Sequence, residues 1–219
     1  MELLHKAVDL FLHLDTHLKA ILETYGAWTY GLLFLTVFCE TGLVVTPFLP
    51  GDSLLFAAGA FAASGAMRLE WLLIGLFAAA VLGDNLNYAV GYLLGPKLAG
   101  GGKIRFVKPQ HLERTHAFYE KYGGKTLILA RFVPIIRTFA PFVAGVGSMR
   151  YPKFLAYSVA GGLLWVSTCT LAGYFFGNLP FVQKNFSLVV LAIVFVSLLP
   201  AIVEIVRVKR AKTRADTAA

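Results

Sequence analysis

Apolar residues gather along this chain into long runs separated by amphipathic or polar stretches, and the spacing inside each run decides what it predicts. Residues 1–25 set Leu3, Leu4, Ala7, Val8, Phe11, Leu14, Leu18 and Leu22 at helical spacing beside His5, Lys6, Asp9, Asp15 and Lys19. That pattern predicts an amphipathic helix on a membrane surface, too charged to cross it. Residues 69–95 and 153–177 are apolar over a spanning length and rich in small residues that let helices pack closely. Between them, residues 97–125 are polar, basic and interrupted by glycine, with a second amphipathic helix predicted at 109–122. A short turn at 178–180 precedes a last predicted span at 186–206 and a basic tail.

Two further runs have membrane character but not the content of a plain span. Residues 127–149 carry Arg131 and Arg137 together with Pro134 and Pro141. A central arginine costs roughly 2.5–3.5 kcal/mol on insertion scales, so each needs a partner or water. Interior proline removes a backbone hydrogen bond, and broken backbone survives at membrane depth only inside protein or beside a wet cavity. The run therefore reads as a helical hairpin that dips into the membrane and turns back. Residues 27–63 have matching character, with Glu40 and Asp52 flanking the breakers Pro47, Pro50 and Gly51. Acids stand in one hairpin and arginines in the other, which predicts that the two meet and form one buried polar site. An alternative, in which 27–49 is a full span that tolerates Glu40 and Pro47, stays open.

The halves also echo each other in order. His13-Leu14-Asp15 resembles His111-Leu112-Glu113, and Glu23-Thr24-Tyr25-Gly26 resembles Glu120-Lys121-Tyr122-Gly123. Phe56-Ala57-Ala58-Gly59 pairs with Phe142-Val143-Ala144-Gly145, Met67-Arg68 with Met149-Arg150, and Gly91-Tyr92-Leu93-Leu94-Gly95 with Gly173-Tyr174-Phe175-Phe176-Gly177. The expected organisation is a first repeat at 1–96 (surface helix 1–25, hairpin 27–63, span 69–95) and a second at 97–178 (linker and surface helix 97–125, hairpin 127–149, span 153–177). Residues 179–219 add the C-terminal span and the tail. The fold class is an all-α integral membrane protein built as an inverted repeat of amphipathic helix, re-entrant hairpin and transmembrane helix. If each unit crosses once, the copies are inverted, and the basic residues of the linker, Arg150, Lys153 and the tail fall on one side. By the positive-inside rule that side is cytoplasmic, with the C-terminus in it.

Composition narrows the class. Of 219 residues 58% are hydrophobic and 15% charged, and the mean hydropathy of +0.70 is too high for a soluble domain of this size. The formal charge of +8 could suggest nucleic acid, but in such a chain it marks loops, and no nucleic-acid partner is expected. Cys39 and Cys169 lie in apolar runs and read as small hydrophobes, not as a disulfide. The N-terminus lacks a cleavage site for a signal peptide. The histidines lack metal-ligand spacing, so neither a metal nor another cofactor is expected. With no histidine near the arginines and no cluster of metal ligands, an enzyme on lipid phosphates is disfavoured.

Arg131 and Arg137 offer planar forks of donors suited to phosphate, against the plainer reading of buried ion pairs that hold the hairpins together. Glu40 and Asp52 could switch protonation or serve as fixed counter-ions. Asp84, with Asn85 and Asn87, has two readings, a third member of the polar site or a helix-packing cluster. Glu204 reads as an interfacial residue that snorkels.

With these residues in view, the chain resembles the DedA family of bacterial inner-membrane proteins over essentially its full length. The motifs are Phe38-Cys39-Glu40-Thr41-Gly42, Phe48-Leu49-Pro50-Gly51-Asp52, Gly91-Tyr92-Leu93-Leu94-Gly95 and Arg131-Phe132-Val133-Pro134-Ile135-Ile136-Arg137. The resemblance implies a multi-pass inner-membrane translocase of polyprenyl phosphate or phospholipid, related to eukaryotic scramblases, with two re-entrant loops and dependence on the proton motive force. It places the family's essential acids on Glu40 and Asp52 and its essential arginines on Arg131 and Arg137. Many members carry glutamate where this chain has Asp52. The expected partners are membrane lipids, undecaprenyl phosphate among them, and protons, with a homo-oligomer left open. The alternative function is a proton-coupled cation antiporter that uses the same acids.

Overall fold

A computed structural model describes residues 26–43, 51–99, 123–177, 179–185, 188–189 and 191–193. The predicted surface helices at 1–25 and 109–122, Pro47, Pro50, Glu204, the tail and most of the predicted span at 186–206 lie outside the described residues. Every regular element among the described residues is helical. In chain order these are α1 (Trp28–Gly42), α2 (Gly51–Ala63), α3 (Leu69–Ala99), a 3-10 turn at Gly123–Lys125, α4 (Thr126–Ala130), α5 (Pro134–Val146), α6 (Tyr151–Phe176) and α7 (Pro180–Lys184).

Length separates these helices into two kinds. At 1.5 Å per residue, the 31 residues of α3 and the 26 of α6 extend about 46 and 39 Å, enough to cross a hydrocarbon layer of about 30 Å. Both are apolar enough to do so. By contrast, α1 with 15 residues and α2 and α5 with 13 each reach only about 20 Å, short of that thickness. Leu82, Leu93, Leu163 and Phe175 on the long helices face outward, while Glu40, Asp84, Asn87, Arg131, Arg137 and Thr138 are buried. Apolar groups outside and charges inside suit lipid as the surrounding solvent.

The prolines of the second hairpin behave differently from one another. Val133 is extended, at φ −124° and ψ 102°, and Pro134 takes the first turn of α5. The proline ring disfavours helical backbone in the residue before it, and its missing amide proton is not needed at a helix start. The break thus falls at 131–133. Pro141, expected to be a breaker, sits inside a continuous α5. The carbonyl that loses its helical donor there is that of Arg137, and on the adjoining residue the Asn87 side-chain amide donates to the Thr138 carbonyl at 2.7 Å.

Each short pair folds back to its starting level. The Arg68 amide, just beyond α2, donates to the Tyr30 hydroxyl in the first turn of α1 at 2.7 Å. Those two ends lie beside the N-terminus of α3. In the second pair, Gly124 lies against Met149 and Tyr157, Gly95 lies against Val146, and the Tyr88 hydroxyl donates to the Met149 carbonyl. Its open end therefore lies toward the C-terminal end of α3. The tips of the two pairs, near Glu40 and Asp52 and near Arg131 and Arg137, meet between these levels.

Packing is reciprocal. Helix α1 lies on α3 and α2 on α6, whereas α4 lies on α6 and α5 on α3. The echoed sequence motifs make the closest crossings. A Cβ on Gly59 would strike the Thr170 carbonyl, and one on Gly145 the Tyr88 carbonyl. Similarly, a Cβ on Gly173 would strike the Phe56 carbonyl, and one on Gly91 the Phe142 carbonyl. Glycine is required at these four positions by contact distance alone, since without a side chain the backbones can touch. Around the first pair a core of Leu33, Val37, Leu55, Leu72, Leu76, Trp165 and Val166 forms. A smaller core of Tyr88, Leu127, Ala140, Ala144 and Phe154 surrounds the second.

Candidate functional site

The polar site assembles where helices end or bend. Glu40 is in the last turn of α1, and Asp52 is in the first turn of α2. The Glu40 carboxylate lies against the Gly51 backbone, in the space a Cβ there would take. Arg131 lies in the break after α4, and Arg137 in the first turns of α5. Asp84 and Asn87 come from the middle of α3, and Ser158 and Trp165 from α6.

Arg137 joins the two hairpins directly. Its Nη1 donates to Asp52 Oδ1 at 2.8 Å, and its Nη2 donates to Glu40 Oε1. The site also contains Trp165, whose Nε1 donates to the same Asp52 oxygen at 2.7 Å. Its ring centroid is 4.9 Å from Arg137 Cζ and 5.7 Å from Arg131 Cζ. One fully buried indole therefore packs against both guanidinium groups, within the range of a cation–π attraction.

Arg131 has a different set of partners. Its Nη2 donates to Asp84 Oδ2, which also accepts from the Ser158 hydroxyl at 2.6 Å. Gly161 and Gly162 of α6 flank the arginine, so its side chain lies against bare backbone. Asn87, one turn beyond Asp84, donates to the Thr41 carbonyl at 3.2 Å and to the Thr138 carbonyl at 2.7 Å. It ties the residue after Glu40 to the residue after Arg137. Among the described residues, Glu40 Oε2, Asn87 Oδ1 and Arg131 Nη1 are buried with no hydrogen-bond partner.

Six of the expected residues, Glu40, Asp52, Asp84, Asn87, Arg131 and Arg137, thus come together, along with Gly51 and the Pro134 turn. Glu40 pairs with Arg137 and Asp84 with Arg131, a division that spacing left open. Ser158 and Trp165 were not anticipated. Ser158, Gly161, Gly162 and Trp165 recur at helical spacing along one face of an apolar span, and that stripe is the signal that could have found them. Neither Cys39 nor Cys169 is in a disulfide. Among the described residues no group of histidine, cysteine or acidic side chains is placed to hold a metal ion.

Residues 49–175 match the VTT domain family. The chain is 52% identical to protein DedA of Escherichia coli K12 over 217 residues, covering 98% of this chain and 99% of that one. The chain belongs to the DedA family. Similarity extends to an uncharacterised membrane protein of Mycobacterium tuberculosis, 51% identical over 87% of this chain and 85% of that protein. It extends also to the inner membrane protein YqjA of Escherichia coli K12, 34% identical over 71% of this chain and 70% of that one. No solved structure matches the chain. Family membership and the apolar helices α3 and α6 make this a multi-helix protein of the bacterial inner membrane.

Proposed function

We propose that the chain translocates a lipid phosphate, with polyprenyl phosphates such as undecaprenyl phosphate the leading substrate class and phospholipid the second. The observation that carries this reading is the Arg137 bridge. One guanidinium holds carboxylates from both arms of the first hairpin at its tip, Arg131 stands beside it, and α1, α2 and α5 are too short to cross. In this reading the two hairpins are re-entrant halves of an inverted repeat, entering from opposite faces, with the C-terminus cytoplasmic. The reciprocal packing and the shared ends of each hairpin support it. Guanidinium forks suit a phosphate headgroup, which has to displace the carboxylates. The lipid tail stays in the bilayer beside the outward-facing leucines.

Proton coupling follows from charge. Glu40, Asp52 and Asp84 give three buried or half-buried carboxylates against the guanidiniums of Arg131 and Arg137. Protonating Glu40 removes the charge that holds it to Arg137 and lets the hairpin tips part. The same excess of acid favours the second reading, a proton-coupled cation antiporter.

One experiment separates the two. Purified full-length protein in liposomes is assayed for undecaprenyl phosphate movement at two pH values, beside Arg137→Ala and Glu40→Gln. Lipid movement that is lost in Arg137→Ala, with pH dependence that is flattened in Glu40→Gln, is the expected result. Cation flux driven by a pH gradient without lipid movement overturns the proposal in favour of antiport.

A further inference from the structure

The two arginines are not equally available. Arg137 already gives Nη1 to Asp52 and Nη2 to Glu40. Among the described residues, Arg131 gives Nη2 to Asp84 alone, and its Nη1, buried with the rest of the side chain at 3% exposure, has no hydrogen-bond partner. A buried donor left unpaired carries a desolvation penalty that an incoming acceptor relieves. Asp84 is 3% exposed, lies in the middle of α3, and is held in place by the Ser158 hydroxyl.

We propose that Asp84 is a built-in stand-in for the substrate anion. It occupies Arg131 in the empty protein under the clamp of Ser158, and a phosphate enters by taking the free Nη1 and then displacing Asp84. This rests on the lipid-phosphate reading and assigns the first contact to Arg131, leaving Arg137 as the tie between hairpins. Asp84 and Ser158 are positioning residues that set how tightly a headgroup binds. A carboxylate that competes for the site weakens binding and also allows release, which transport requires.

In full-length protein in nanodiscs, Asp84→Asn removes the competing charge but keeps the side-chain shape. Losing one charge-assisted contact of this kind corresponds to about tenfold or more in affinity, so undecaprenyl phosphate should bind about that much more tightly. Ser158→Ala, which only loosens the clamp, should tighten it by a smaller factor. Asp84→Glu, which keeps the competitor, should not tighten it. Inorganic phosphate titrated against bound lipid distinguishes the source of the anion. Competition at comparable concentration marks a headgroup site open to free phosphate, and competition only at great excess marks a lipid-specific one; both keep the stand-in role.

Weaker or unchanged binding in both Asp84→Asn and Ser158→Ala overturns the inference. Arg131→Ala tells that failure from failure of the underlying reading. If Arg131→Ala abolishes binding while Asp84→Asn does not tighten it, the phosphate site stands and the stand-in role falls. If Arg131→Ala and Arg137→Ala both bind normally, the lipid-phosphate reading itself fails. Ser158→Ala removes only a hydroxyl, and it keeps the test decisive should Asp84→Asn not fold.

Discussion

Replacing Arg137 by leucine tests whether the hairpin tips are held by charge or by packing. The guanidinium is the shared partner of Glu40 and Asp52 and lies against the Trp165 ring. Leucine fills part of the volume but leaves both acids without it. Breaking a buried pair by removing one partner costs about 3–5 kcal/mol, because an uncompensated charge stays behind. The two acids differ in that respect. The Glu40 side chain is 2% exposed, whereas that of Asp52 is 18% exposed and keeps the Trp165 Nε1 donor. Most of the cost should therefore come from Glu40. Adding Glu40→Gln to Arg137→Leu should make the protein more stable than Arg137→Leu alone, with a coupling of about 1–3 kcal/mol. Adding Asp52→Asn should recover much less. Unfolding of the purified variants in mixed micelles, titrated with denaturing detergent, measures each difference. Additive losses, or a larger rescue from Asp52→Asn, would refute the assignment of the buried excess charge to Glu40.

Two more predictions concern the packing that places this site. Trp165→Phe keeps a ring against both guanidiniums but loses the Nε1 donor to Asp52, and should cost about 1–3 kcal/mol; Trp165→Ala, which empties a fully buried site, should cost about 3–5 kcal/mol, with both read from the same detergent unfolding. Gly91→Ala and Gly173→Ala each force a methyl into a backbone carbonyl on the facing helix. Each should destabilise by about 1–3 kcal/mol. Gly75→Ala, with nothing near its Cβ, should instead stabilise α3 by up to about 1 kcal/mol, and equal effects at the three glycines would contradict the crossing geometry.

Much of the architecture is legible without coordinates because lipid imposes strong rules on sequence. An apolar run of spanning length free of arginine and proline, such as 69–95 or 153–177, becomes the body of a long helix, α3 and α6. Arginine and proline inside such a run mark backbone that has to break and charges that need partners, as at Arg131, Pro134 and Arg137. The echoed glycine motifs locate the close crossings, since only a residue without a side chain lets two helix backbones touch. Proline was a less certain guide. Pro134 starts a helix and sets the break before it, while Pro141 rides inside α5 beside the Asn87 amide.

Pairing is what tertiary structure alone decided. Nothing in spacing along the chain says whether Glu40 reaches Arg131 or Arg137, because that depends on which hairpin arm crosses which long helix. The reciprocal packing brings α5 onto α3 and α2 onto α6, so Arg137 meets both acids of the first hairpin tip and Arg131 is left to Asp84. The same packing turns Trp165 and Ser158, unremarkable in an apolar run, into the residues that touch both arginines and hold Asp84. Local sequence determined the elements and their charges, because helix length, breaks and burial cost are local properties. The site's connectivity came from contacts between residues far apart in sequence, which no local pattern records.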